Sequence, residues 1–434
     1  VVLVTVDTLR ADHLGVDRYP RDTSPNLDAL ARAGAYFPRC YSVSATTGAS
    51  HASLFYSVEP PLHGVLANRQ RFPLRPGLMS AFRAAGHHAA AFVSSVVLGR
   101  RSGLAEHFDH FDDAFTTVER NRAVRYERPA QATVAAVRRH LASLPRGRPF
   151  FAWVHLIDPH GPYDPPEGGD VFVADAFVPA VPLVLPLGAD DWVRGAIPRY
   201  QVLAGRTEAE YYVARYDAEI RYADRALGEL LQGLAALGRD AATVVAVTAD
   251  HGETLADAGR GRYFSHGVIA HEEVVRVPLV LRGAPGDARL ARVPRLLPVS
   301  TMDVAPTLLS LAGVAVPREF RGRDLLTAEL HEDVSLPSFG AYGFEDLERD
   351  LGTEFSLRRG PWRYLVRSLD GAESLYDHRQ DPAELTDVAA REPAVLAALR
   401  RELAAIRALG TARAPEVEPD PEQAEALRAL GYAR

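Results

Sequence analysis

The chain is predicted to be an α/β protein, with a central twisted, mostly parallel sheet between helices and a smaller C-terminal α+β domain. Three stretches carry this expectation: residues 1–7 (VVLVTVD), 150–160 (FFAWVHLIDPH) and 243–253 (TVVAVTADHGE). Each runs apolar, largely β-branched residues into acids and imidazoles, a pattern that suits a strand buried on both faces and then released at its end. Residues 129–144 and 208–237 place apolar side chains at helical spacing with arginines opposite, as helices covering a sheet do. In open α/β sheets the carboxyl ends of parallel strands share the edge at which ligands bind. Asp7, Asp158, His160, Asp250 and His251 are therefore expected in one crevice, and that gathering of acids and imidazoles suggests a metal.

Composition limits the alternatives. A chain of 434 residues can bury one large α/β core with an appended smaller domain. An apolar share of 47% with 24% charged residues is that of a globular protein, and a net charge of −7 offers no general attraction to nucleic acid or anionic membrane. The single cysteine, Cys40, excludes an internal disulfide, a cysteine zinc cluster and an iron–sulfur site. The sequence has no lysine, so any anion clamp uses Arg, His or backbone N–H groups. Residue 1 is a valine already inside a strand, which leads us to expect a preceding segment, where a signal peptide or membrane anchor would lie. No apolar run present is long enough to span a bilayer.

In chain order, Ser24 and Pro25 open a helix as N-cap and first residue, and Gly34 ends it. Residues 41–54 (YSVSATTGASHASL) offer hydroxyls and small side chains before an apolar helical stretch, where unpaired helix N–H groups can meet an anion. Residues 165–204, rich in Pro, Val and Gly without period, form an irregular excursion over the strand ends. Residues 277–282 read as another buried strand, and residues 302–311 as a helix entered through Pro306. The domain boundary is placed near residue 330, giving 1–330 and 331–434. Beyond it, 353–367 and 373–376 are short strands with turns at Arg359-Gly360-Pro361 and Asp370-Gly371, 393–409 is an amphipathic helix, and 416–434 is acidic and then helical.

These residues together resemble a sulfatase of the alkaline phosphatase superfamily. The resemblance starts at Asp7-Thr8-Leu9-Arg10-Ala11-Asp12, Ser24-Pro25-Asn26-Leu27, Ser50-His51-Ala52-Ser53-Leu54 and His63-Gly64-Val65. It continues in order through Asp158-Pro159-His160-Gly161-Pro162-Tyr163, Asp250-His251-Gly252-Glu253, Glu272 to Pro278, Asp303 to Leu309 and Leu375-Tyr376-Asp377. It implies a metal held at strand ends by Asp7, Asp250 and His251, with Thr47 as both nucleophile and metal ligand. It also puts His160 and His266 at the leaving group or transferred anion, and Arg10 and Asn68 in the substrate pocket.

The match departs from typical sulfatases in three places. Their C-x-P-S-R motif, in which Cys or Ser becomes formylglycine, is replaced by Thr47-Gly48-Ala49-Ser50-His51. Thr8 replaces a second metal-binding Asp, and Ser94 falls where an anion-binding lysine is usual. A threonine nucleophile is similar to the phosphotransfer branch of the superfamily, which includes phosphoglycerol transferases and nucleotide phosphodiesterases.

The expected function is therefore formylglycine-independent hydrolysis or transfer of sulfate or phosphate esters, phosphate mono- or diester favoured, through a covalent Thr47 intermediate. One divalent ion (Ca, Mg, Mn or Zn) is expected, with a second possible at His160 and His266. A coordinated cation shifts bound water from a pKa of about 16 to about 7, and a hydroxyl benefits in the same way. An imidazole titrates near neutrality and suits the leaving oxygen. The partner is a small-molecule, glycan or lipid-linked ester rather than nucleic acid, in an exported, periplasmic or cell-envelope location, with the cytoplasm as the alternative. The competing class is a non-catalytic sulfatase-like protein that binds metal or an anionic glycan. His51 and His63 are assigned structural roles, and His87, His88, His107 and His110 to the surface or helix ends.

Overall fold

The computed structural model describes residues 1–115, 117–118, 126–173, 183–191, 193–284, 287–340, 353–410 and 413–417. The helix expected within 416–434, and residues 174–182 and 192 of the expected excursion, lie outside the described residues.

The main sheet is built from β1 (Val2–Val6), β2 (Ala35–Tyr41), β3 (His88–Phe92), β4 (His110–Asp112), β7 (Phe150–Leu156), β8 (Val245–Ala249), β9 (Arg276–Arg282) and β10 (Val299–Ser300). A separate ribbon pairs β5 (Thr117–Val118) with β6 (Tyr126–Glu127). The strand order is β10-β2-β9-β8-β1-β7-β3-β4. β1 lies at the centre, parallel to β7 and β8, with Val4 opposite both Val154 and Val247. Every residue of β1, β7 and β8 is buried, as strands covered on both faces require. The apolar stretch after residue 276 is a strand as expected, but β9 runs antiparallel to both β2 and β8. The strands ending at Asp7, Tyr41, Asp158 and Asp250 therefore point the same way, and their carboxyl ends meet along one edge.

Helices Pro25–Ala33, Ala130–Ser143 and Ala209–Ala236 pack together on one face, and Thr47–Tyr56, Leu78–Ala84 and Val304–Leu311 on the other. Ser24 stands at the N-cap of the first, but its hydroxyl donates to the Asp28 carboxylate and accepts from the Gly15 N–H instead of capping the helix backbone. The last helix starts at Val304 after a 3-10 turn, Thr301–Asp303, so Pro306 sits inside its first turn rather than at its entrance. No helix among the described residues is long and apolar enough to cross a membrane.

The second sheet is antiparallel, β11 (Ser335–Phe339), β12 (Glu354–Arg359), β13 (Trp362–Arg367) and β14 (Glu373–Asp377) in that order, with helix Pro393–Arg407 against β12 and β13. Gly360 and Gly371 carry its turns at φ +56° and +66°, a region that L side chains avoid. Its core of Phe339, Phe355, Leu357, Tyr364, Leu375, Leu399 and Leu403 also takes in Val43 and Met302 from the larger body. The Ser338 hydroxyl donates to the Ser42 carbonyl at 2.6 Å, so this sheet buttresses the segment leading to Thr47.

Candidate metal and nucleophile site

Past β1, Thr8 adopts φ +56°, a strained conformation for a β-branched residue that turns the chain sharply beside Asp7. The Thr8 and His251 N–H groups both donate to Asp250 Oδ1, at 3.3 and 2.8 Å. Asp250 Oδ2 is left buried with no hydrogen-bond partner. Donor atoms of Asp7, Asp250 and His251 lie within 4.8 Å of one another. His251 Nδ1 donates to the Gly252 carbonyl at 3.0 Å, which turns the Nε2 lone pair inward, 3.9 Å from Asp7 Oδ1 and 3.5 Å from Asp250 Oδ2. Two buried carboxylates and an imidazole lone pair facing one another repel unless a cation or proton stands between them. With protons alone, burial depresses the His251 pKa, but the Asp250 and Asp7 charges outweigh it and raise the group above its ordinary value. The donor set fits a divalent cation bound by oxygen and imidazole nitrogen.

Thr47 is the first residue of helix Thr47–Tyr56, all ten residues of which are buried, and its Oγ1 lies 3.4 Å from His251 Nε2. Small hydroxyls bolt this helix to the end of β8. Ser50 donates to the Asp250 carbonyl at 2.6 Å, and Ser42 donates to the same oxygen. Asn68 Oδ1 accepts from the Gly48 N–H at 2.8 Å, so this pocket candidate holds the helix N-terminus beside Thr47. A Cβ at Gly48 would come within 3.1 Å of that oxygen and 3.3 Å of the Ala67 carbonyl.

His51 takes the structural role expected of it. Its Nδ1 donates to the Thr47 carbonyl at 2.8 Å, and its Nε2 accepts from the Thr5 hydroxyl at 3.0 Å, which in turn accepts from Trp153 Nε1 at 2.9 Å. Burial lowers its pKa to about 4. His51, His155 and Asp250 form a second group of metal-capable donors, but both His51 nitrogens are spent on these bonds.

The His160 and His266 rings are 5.1 Å apart, and His266 is 4.5 Å from His251, so the two expected proton carriers flank the site. Arg10 is otherwise committed. Its guanidinium donates to both Asp12 oxygens at 3.0 and 2.8 Å, to Asp257 at 2.9 and 2.7 Å and to the Glu253 carbonyl at 3.1 Å, so it braces the loop after β8. Asp158 likewise accepts from the Ala130 N–H at 2.9 Å, at the start of helix Ala130–Ser143, and burial raises its pKa to about 6. It serves that helix and is not among the residues whose donor atoms lie close enough together to hold a metal. His107 takes one of the two placements expected of it, at the end of a 3-10 helix, and is buried there.

A family model described as Sulfatase matches residues 1–314, and one described as N-sulphoglucosamine sulphohydrolase, C-terminal, matches residues 259–408. The chain belongs to the sulfatase family. Arylsulfatase K of Mus musculus is 29% identical over 288 residues, 60% of this chain and 50% of its own. An arylsulfatase of Clostridium perfringens is 24% identical over 89% of each chain. This sulfatase-family chain thus spans about half the length of the first curated relatives it matches. Among solved structures, the phosphonate monoester hydrolase of Agrobacterium radiobacter has the same fold, with a TM-score of 0.72 at 20% identity, covering 94% of this chain and 95% of that one.

Within this sulfatase framework Cys40 is fully buried in β2, away from the helix that carries Thr47. Two residues escaped the sequence reading. His155 is fully buried in β7 with neither ring nitrogen hydrogen-bonded, its Nε2 3.5 Å from Asp7 Oδ2. Glu253 is fully buried, with its carboxylate 3.3 Å from His266 Nδ1. Burial, helped by the Asp7 charge, pushes the Glu253 carboxyl well above the usual carboxylate range, while His251 and the Tyr163 hydroxyl pull the other way. Glu253 belongs to the Asp250-His251-Gly252-Glu253 run, but nothing in that run sets its carboxylate against His266.

Proposed function

We propose that this sulfatase-family protein is a metal-dependent hydrolase or transferase of sulfate or phosphate esters that uses the Thr47 hydroxyl as nucleophile, with phosphate esters and diesters preferred. The observation that carries this reading is the position of Thr47 Oγ1, 3.4 Å from His251 Nε2, beside the buried and unpartnered Asp250 Oδ2. Asp7, Asp250, His251 and Thr47 Oγ1 would hold the ion, which would supply the positive charge that lowers the pKa of a hydroxyl and screens a developing oxyanion. The protein's own steps follow from its side chains. Asn68 and the Ser42–Ser50 hydroxyls fix the helix so that Thr47 Oγ faces the substrate. The Thr47 hydroxyl gives up its proton to solvent, its oxygen forms the new bond to phosphorus or sulfur as the ester bond breaks, and a protonated imidazole of His160 or His266 gives the leaving oxygen its proton. The same imidazole then accepts a proton from the water, or from the acceptor alcohol, that cleaves the Thr47 ester.

Thr47 favours phosphate because a threonine cannot become formylglycine. No lysine exists to clamp a sulfate, and His51 stands neutral where family members place an arginine. The substrate class is a small-molecule, glycan or lipid-linked ester, and an envelope or exported setting suits such substrates. Rates on aryl phosphate, aryl phosphodiester and aryl sulfate, with Mn, Mg, Ca or Zn added in turn, test the reading. Metal-dependent turnover with the phosphodiester or monoester fastest is expected. Metal binding without turnover of any ester would instead support a non-catalytic, anion-binding member.

A further inference from the structure

The loop between β8 and helix Glu272–Val275 leaves the site and returns to it, and its root is clipped. Thr254 and Ser265 form an antiparallel bridge in which the Thr254 N–H donates to the Ser265 carbonyl at 3.0 Å and the Ser265 N–H donates to Thr254 Oγ1 at 3.1 Å. The Thr254 hydroxyl donates to the same Ser265 carbonyl at 2.6 Å. Pairing 254 with 265 sets 253 beside 266. The Glu253 backbone is held from two further sides, by Arg10 on its carbonyl and by the Gly252 N–H donating to the Val274 carbonyl at 2.6 Å. A Cβ at Gly252 would collide with the Glu273 carbonyl, so only glycine passes there. The outcome is a fully buried carboxylate whose two oxygens lie 3.3 and 3.4 Å from His266 Nδ1, on the edge of the ring opposite Nε2.

We propose that Glu253 is a positioning residue for His266: it accepts the Nδ1 hydrogen, fixes the ring's tautomer and orientation, and so directs Nε2 at the reacting ester. This rests on the threonine-nucleophile reading above. A carboxyl oxygen behind an imidazole still accepts whichever protonation state burial imposes on Glu253, and beside the Tyr163 hydroxyl it favours the tautomer that carries its hydrogen on the facing nitrogen. Glu253 touches no substrate and acts only through His266, which is why its effect must vanish when His266 is absent.

The test uses the whole chain loaded with Zn or Mg. Nitrogen-15 NMR of the His266 ring is expected to show hydrogen on Nδ1 in the wild type, and a mixture of tautomers in Glu253→Ala. With the preferred aryl ester, Glu253→Ala is expected to lower kcat roughly 10- to 100-fold with KM little changed. Glu253→Gln, whose amide oxygen still accepts, should recover most of that loss. In a His266→Ala background Glu253→Ala should cost nothing further. A His266 ring unchanged in tautomer in Glu253→Ala, or losses that multiply in the double variant, would overturn the proposal. If Glu253→Ala does not fold, the same NMR comparison is made on Glu253→Leu, which fills the space without an acceptor and in which an unchanged tautomer would count against the proposal. A wild type that turns over none of the esters would sink the threonine-nucleophile reading, and the tautomer would still decide the role of Glu253.

Discussion

A threonine hydroxyl in water is a weak nucleophile, so the role proposed for Thr47 depends on its neighbours. Thr47→Ala is expected to lower kcat by roughly 10³-fold or more, while melting stays within about 1 kcal/mol of wild type in chemical denaturation. Thr47→Ser, which keeps the oxygen, should retain measurable turnover in the same ester assay. Asp7, Asp250 and His251 were legible as candidates because each follows an apolar run with a chemically conspicuous side chain, whereas Thr47, set among other hydroxyls, was reached through the family resemblance alone. His155 was not legible, because inside FFAWVHL it looks like a satisfied core residue, and only the register that sets Thr5 beside it brings it to Asp7. Arg10 reads as an anion clamp, and its engagement by Asp257, far along the chain, together with Asp12 is what the sequence does not show.

At the scale of elements, the turn after β8 and the loop after β7 carry the site. Gly252→Ala must push the chain away from the Glu273 carbonyl. A loss of about 1–3 kcal/mol in urea unfolding is expected, together with weaker metal binding by calorimetry, since Asp250 and His251 precede the displaced residue. Asp158 ties the loop after β7 to helix Ala130–Ser143, and its raised pKa sets a sign. Between the unfolded value of 3.8 and about 6, the folded chain holds a proton that the unfolded chain releases, so this stabilisation is present at low pH and lost as pH rises through about 6. The stability of the wild type relative to Asp158→Asn should therefore grow as pH is lowered from 7 to 4, measured by urea unfolding at each pH. The strands and main helices were legible from periodicity, because burial on both faces leaves unbroken apolar runs. The direction of β9 was not, since an apolar run reads the same in either orientation and the connecting loop decides it.

For the whole molecule, the gathering of charge at one sheet edge links stability to metal and to acid. Asp7 and Asp250 are buried facing His251, so stripping the ion with a chelator is expected to lower Tm, and restoring it to raise Tm with metal concentration, as mass action requires. Burial holds His63 at about 3 and His155 at about 4, both below their ordinary 6.5. As pH falls from 6.5 the unfolded chain takes up protons that these folded imidazoles refuse. Stability should therefore drop across that window and reach its full loss near pH 3–4, read as Tm against pH on chelated protein. The layered α/β class and the second sheet were visible in sequence, whereas the buttressing of the Thr47 segment by Ser338 was not, since it joins residues far apart in the chain. The most direct measurement is acid quenching of the metal-loaded protein during turnover of an aryl phosphate, followed by peptide mass spectrometry. A phosphorylated Thr47 peptide that is absent from Thr47→Ala is the expected result, and full turnover by Thr47→Ala with no phosphorylated peptide in the wild type would contradict it.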